Sequence, residues 1–205
     1  MEWELDQRAG KRVQVVRRVL TTPLDTDAVM SVRCGDRVLV SGVVYSARDA
    51  AHARMAAALE SGQALPFDPR GQVIYYTGPS PAPLGRPVGA AGPTTSGRMD
   101  LYAPALYGAG IKATIGKGAR SGAVREAIRE CRALYLAAIG GAGALLARCI
   151  RSAEVVAYPE LGPEAVRRLV VEDFPAIVVD DAYGDDLYER AEAGRRQTER
   201  DEAQT

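Results

Sequence analysis

Nine consecutive residues, Gly92-Pro93-Thr94-Thr95-Ser96-Gly97-Arg98-Met99-Asp100, put three hydroxyls and a guanidinium into one short segment punctuated by glycine and proline. Hydroxyls and Arg donate hydrogen bonds to anions, and Gly lets the backbone approach closely, so this composition suits a grip on a small anion. It suits a core poorly, having almost no apolar side chains. A polar connecting turn would have the same composition, since most loops only connect.

Other side chains of similar promise stand nearby in type. Arg48 follows Ser46 at the start of a helical pattern, where a cation opposes the helix dipole and Asp49 is the residue the position prefers. A broken local rule beside free backbone N–H groups describes a carboxylate receptor; a surface arginine reaching water is the plainer alternative. His52, the single histidine, lies four residues on, on the same helical face. A lone histidine is more often structural, and its expected role is to orient Arg48 or a nearby loop from behind. Lys117 sits between Gly116 and Gly118, either as a point charge reaching into a site or as a solvated lysine on a turn. A phosphate-binding loop does not fit, because Gly118 replaces the Ser/Thr that would hold magnesium and the Gly110–Gly116 spacing is wrong.

Four further stretches accompany the nine-residue segment: Ser41-Gly42-Val43-Val44-Tyr45-Ser46-Ala47-Arg48-Asp49-Ala50-Ala51-His52, Tyr75-Tyr76-Thr77-Gly78-Pro79, Gly116-Lys117-Gly118 and Val171-Glu172-Asp173-Phe174-Pro175. Together, and in this order, they resemble the class I, iron–sulfur-dependent fumarases and the related L(+)-tartrate dehydratases, in the segment that forms their beta subunit or C-terminal domain. The resemblance implies a hydro-lyase half-site. Arg48, Arg98 and Lys117 would bind substrate carboxylates, and Thr94 would act with Arg98 and Lys117 in catalysis through proton transfer. Thr95, Ser96 and His52 would support them from behind. It further implies fumarate hydration to (S)-malate, a [4Fe-4S] cluster carried by a partner alpha subunit, and an α2β2 assembly. L(+)-tartrate or a mesaconate-type diacid is the alternative substrate, and a binding or regulatory module that kept the fold is the non-enzyme alternative. One departure is that Ser80 stands where many relatives have Cys, in a loop expected to border the pocket.

These residues need elements to hold them. Arg12 to Val19 reads as an edge strand, Arg37 to Tyr45 as a strand broken by Gly42, and Ser46 as the cap of a helix running to Leu59 and closed by Gly62. Gln72 to Tyr76 is a short strand before an aperiodic Pro/Gly-rich passage, Gly78 to Gly97. A second helix capped by Ser121 runs to Arg132, followed by a strand from Ala133 to Ile139, a glycine turn and a helical segment from Ala144. Glu154–Ala157, Arg168–Glu172 and Ala176–Val179 complete the strands, with Asp173-Phe174-Pro175 as a turn. Alternating strands and helices give α/β class. The resemblance narrows this to a single swivelling β/β/α domain over residues 1–187. Residues 188–205 are charged and polar with few apolar anchors, and read as a solvated, disordered tail.

Composition sets the outer bounds. Among 205 residues, 26 basic side chains balance 26 acidic ones, so no global field attracts nucleic acid or an anionic membrane. The acidic N-terminus lacks the pattern of a signal peptide, and the apolar run Ala133–Ala147 is short and broken by glycines; a cytoplasmic protein is expected. Cys34, Cys131 and Cys149 are far apart and form no CxxC pair, so they are expected to be buried thiols, with no metal held by this chain.

Overall fold

The computed structural model describes the backbone of residues 2–6, 11–15 and 18–203, with side chains from 18 to 199. In chain order the elements are β1 (Glu2–Asp6), β2 (Lys11–Val15), β3 (Arg18–Thr21), α1 (Thr26–Met30), β4 (Arg37–Ser46), α2 (Asp49–Glu60), β5 (Val73–Tyr75), α3 (Ala103–Gly108), β6 (Ala113–Gly116) and α4 (Gly122–Glu130). Then come β7 (Leu134–Ala137), α5 (Gly143–Leu146), β8 (Ile150–Ala157), β9 (Val166–Asp180) and α6 (Leu187–Ala203). Short 3-10 turns cover Ser96–Met99, Ala147–Cys149 and Pro159–Glu164. β1 and β2 form an antiparallel pair of their own.

Strands β3 to β7 run parallel side by side. β9 then pairs antiparallel with β7 at one end and with β4 along most of its length, which closes the sheet into a barrel-like ring. β8 lies against the first half of β9. The result is one mixed α/β domain.

Successive side chains in a strand point to opposite faces, and parallel strands covered on both sides read as unbroken apolar runs. Val73 and Tyr75, Leu134 and Leu136 enter the barrel core with Val40, Val44, Leu169 and Phe174. The alternate residues Ile74 and Tyr135, with Tyr76 beyond the end of β5, join an outer layer against Ala51 and Met55 of α2, Leu106 and Tyr107 of α3, and Val124 and Ile128 of α4. That outer layer anchors the helices whose ends carry the candidate site.

The structure departs from the sequence reading at several elements. Ser46 is a buried strand residue, and α2 starts at Asp49 with Arg48 as its N-cap. Gly42 does not break β4. It sits at φ 109° where a register shift puts a bulge opposite β9, and a Cβ there would lie 2.9 Å from the Thr22 carbonyl oxygen. Asp173-Phe174-Pro175 is the other side of that irregularity, inside one strand of 15 residues where separate strands and a turn are expected. Asp173 takes φ 50°, and Phe174 packs edge-on to Tyr75 at 5.0 Å. The segment expected to be a helix from Ala144 gives only α5 and a 3-10 turn before β8 begins at Ile150. From Leu187 to Ala203 the chain forms the helix α6 where a disordered tail is expected, and a carboxylate cap starts it. Asp186 Oδ1 accepts from the Tyr188 and Glu189 N–H groups at 2.7 and 3.3 Å.

Candidate active site

Parallel strands deliver their following residues to one edge, the C-terminal one, and ligands of open α/β sheets gather there. Four strands do so here. Arg48 follows β4, Tyr76-Thr77-Gly78 follow β5, Lys117-Gly118 follow β6 and Gly140 comes three residues after β7. Backbone hydrogen bonds stitch the nine-residue segment onto this edge. The Thr94 N–H donates to the Tyr76 carbonyl at 2.7 Å, Lys117 N–H to the Thr94 carbonyl at 3.2 Å, and Ser96 N–H to the Lys117 carbonyl at 2.8 Å. Thr95 and Lys117 thus form a parallel bridge that prolongs β6. Thr94 and Lys117, distant in sequence, are forced side by side.

The two arginines meet through one carboxylate. Arg98 Nε lies 2.8 Å from Asp49 Oδ1, and Arg48 Nε donates to Asp49 Oδ2 at 3.2 Å. Glu164 approaches Arg48 Nε at 3.5 Å and accepts the Ala50 N–H at 2.9 Å, so it caps the first turn of α2 that no side chain of its own caps. Burial pushes the Asp49 carboxyl upward, but its own backbone N–H and the two arginines outweigh that and hold it below its usual range. Arg48 also packs over Gly78, where a Cβ would be 3.2 Å from its Cδ. The Lys117 methylenes run past Gly140, at 3.6 Å from the position of its Cβ. Three cations and two carboxylates leave the edge with one positive charge in excess, as an anion site requires.

The supporting side chains divide sharply. Thr95 is exposed, and Ser96 is fully buried. His52 is fully buried too. Its Nδ1 lies 3.1 Å from the Arg48 carbonyl oxygen, and its ring meets Tyr76 edge-on at 5.1 Å. It therefore touches the Arg48 backbone and not the guanidinium. Burial drives its pKa down to about 4, which makes it neutral at pH 7 and a poor acid or base there.

Sequence reasoning missed several members. The sequence pattern gives Asp49 only as a helix-end residue and Asp100 only as the last residue of the nine-residue segment, and it does not pick out Glu164, Arg120 or Tyr135. Arg120 is buried, with its guanidinium 5.3 and 4.9 Å from the ring centres of Tyr76 and Tyr135. It donates from Nε to Asp100 Oδ1 at 2.7 Å, and Asp100 Oδ2 accepts the Ser121 N–H at 2.6 Å. This bolts the end of the Arg98 turn to the start of α4. Asp100 closes the nine-residue segment and Arg120 follows Gly118 closely, which was the available signal.

Ser80 sits in the far lobe of the long loop, where its Oγ accepts the Ala90 N–H at 2.8 Å. The lobe lines a cavity of about 420 Å³ with Val155, Pro163 and Arg167. Cavities of about 350, 230 and 470 Å³ lie elsewhere, and none of these four is lined by Arg48, Thr94, Arg98 or Lys117. At the candidate site Thr95, Arg98 and Lys117 are exposed, and Arg48 and Thr94 are half-buried. The cysteines belong to three separate places: Cys34 donates its N–H to Asp181, Cys131 caps α4, and Cys149 lies by the Asp173 carbonyl. Burial raises the pKa of all three thiols. They do not fit a cluster ligand set, which needs converging thiolates. Among the described residues no group of three or more His, Cys, Asp or Glu side chains suits a metal ion, and no helix is long and apolar enough to cross a membrane.

Comparison with known sequences shows the family. Over 158 residues the chain is 42% identical to fumarate hydratase 2 of Leishmania major, and over 156 residues 41% identical to the anaerobic class I fumarate hydratase of Escherichia coli K12. These matches take in 76% and 75% of this chain but 28% of each relative, so the chain spans under a third of their length. A Methanocaldococcus jannaschii protein, provisionally named the beta subunit of an L(+)-tartrate dehydratase, is 37% identical over 167 residues, which is 78% of this chain and 86% of that protein. The family described as fumarase C-terminus matches residues 2–191, and this chain belongs to it.

Proposed function

We propose that this chain is the beta component of a two-component hydro-lyase that reversibly hydrates fumarate to (S)-malate in the cytoplasm, and that its barrel is the swivelling β/β/α domain of that family. The observation that carries the reading is the convergence of Arg48, Thr94, Arg98 and Lys117 on one strand edge. Each carboxylate of a C4 dicarboxylate takes a planar, forked donor well, and Arg48 and Arg98 supply one fork apiece. Lys117 adds a mobile point charge. Charge that develops on a carboxylate as a proton leaves the adjacent carbon is stabilised by cations already in place.

Thr94 takes part in that proton transfer. Among the described residues its hydroxyl has no hydrogen-bond partner, and a Thr hydroxyl is a weak base without an activating neighbour. The exposure of Arg98 and Lys117 and this unassisted hydroxyl both favour a site completed by an alpha subunit in an α2β2 assembly. The dispersed cysteines leave any [4Fe-4S] cluster to that partner. L(+)-tartrate is the second reading, favoured by the match over most of the archaeal beta subunit.

The test is hydration of fumarate, with L(+)-tartrate in parallel, by the complex purified anaerobically through a tag on this chain. Malate formation that is lost in air supports the first reading, and oxaloacetate formed from tartrate alone supports the second. A chain that comes down without an iron–sulfur partner and acts on neither acid overturns both.

A further inference from the structure

Arg98 is an exposed, flexible side chain, with 53% of its surface open, yet its Nε rests on a carboxylate that also holds Arg48. Asp49 makes both contacts through the arginine Nε atoms. The terminal nitrogens of Arg98 are left for other acceptors. Asp49 itself stands on regular structure: it opens α2, and Glu164 accepts the N–H of the next residue. Two long side chains that would otherwise be ordered only when a ligand arrives are thereby held in advance.

We infer that Asp49 is a positioning residue of the dicarboxylate site: it fixes the spacing of the Arg48 and Arg98 guanidinium groups so that a C4 dicarboxylate meets a preformed pair. This rests on the reading that both arginines bind the substrate carboxylates. Simple charge counting predicts the opposite effect. A carboxylate beside the site repels an incoming dianion and neutralises the cations, so its removal should tighten binding. The sign of the effect therefore separates preorganisation from competition.

The experiment uses the complex of this chain with its partner and the variants Asp49→Asn, Asp49→Ser and Arg98→Ala. KM and kcat are measured for fumarate, together with the inhibition constant of succinate, a C4 dicarboxylate with no double bond to hydrate. For Asp49→Asn both KM and the succinate constant should rise about tenfold, the size of one lost charge-assisted interaction, while kcat stays within about threefold. Asp49→Ser keeps a side chain suited to a helix start and should lose binding to the same degree with an unchanged melting midpoint. An unchanged or tighter succinate constant in either folded variant overturns the inference. Wild-type KM, kcat and succinate constant in Arg98→Ala would instead remove the underlying reading, whatever Asp49 does.

Discussion

The Ser96 hydroxyl lies 2.9 Å from the Tyr135 hydroxyl, which donates in turn to the Gly118 carbonyl at 2.7 Å. Tyr135 stands on β7 and points out of the barrel, while Ser96 and Gly118 belong to the two loops that carry Thr94, Arg98 and Lys117. One phenol thus ties both loops to the sheet. Position along β7 fixes it: Leu134 and Leu136 face the core, so the residue between them must face the loops.

Replacing that phenol tests the tie. In Tyr135→Phe the ring still fills its place beside Arg120, but the buried Ser96 hydroxyl and the Gly118 carbonyl each lose a partner. A cost of about 1–3 kcal/mol is expected for such unsatisfied groups. At about 2–4 °C per kcal/mol for a chain of this size, scanning calorimetry resolves it. An unchanged melting midpoint would mean that solvent or loop movement satisfies both groups.

Gly116 is the close-approach point behind the site. A Cβ there would overlap the Ser96 hydroxyl and lie 3.0 Å from Tyr76 Cδ2, both buried and neither free to turn away. Gly116→Ala should therefore destabilise by about 1–3 kcal/mol, as overpacking does. It should also lower kcat/KM, because Ser96 cannot shift without moving Thr94 and Arg98. A stable variant with normal kinetics would show the loop to be more tolerant than this packing allows.

Arg98→Ala probes the site with little risk to the fold, since the side chain is exposed and its only ion pair is with Asp49 among the described residues. A fall in kcat/KM of about 10² to 10³, or roughly 3–4 kcal/mol of transition-state stabilisation, is expected for the assembled enzyme. The melting midpoint should hold. Near-normal kinetics would remove Arg98 from the site.

The cationic half of the candidate site is legible because glycine, proline and broken helix-end preferences mark backbone exceptions one residue at a time. The carboxylate half is not. Asp49 looked like a favourable first-turn residue, and only the tertiary approach of Arg98 shows its second role. Glu164 and Tyr135 reach the site through strand pairings that no local pattern encodes. Ser46 misled for a related reason: serine caps helices and also ends buried strands, and the pull of β5 and β9 on β4 decided between them. The charged stretch after 187 looked unable to hold itself in helix. Asp186 and its ion pair with Arg125 at 3.2 Å anchor its first turn, and that contact lies 61 residues away in sequence.

That same corner yields a pH effect with a definite sign. Asp180 ends β9 at 2% exposure, and neither carboxylate oxygen has a hydrogen-bond partner among the described residues. Burial foremost, then Asp186 and Glu189, push its pKa up to about 7 against the pull of Arg120 and Arg125. Unfolded, the group titrates near 3.9, so between about pH 4 and 7 the folded chain binds the extra proton. Its contribution to stability is whole below that window and fades as pH rises through 7. His52 acts in the opposite sense at lower pH, because its folded pKa of about 4 lies below its unfolded value. The bare pH–stability curve therefore mixes the two, and the difference between wild type and Asp180→Asn isolates the first. That difference should shift in favour of the variant from pH 4 to pH 8.5, by several degrees in melting midpoint at about 1.4 kcal/mol per pKa unit and 2–4 °C per kcal/mol. Parallel melting curves across the range would mean that Asp180 is ionised throughout and finds its counter-charge in Arg125.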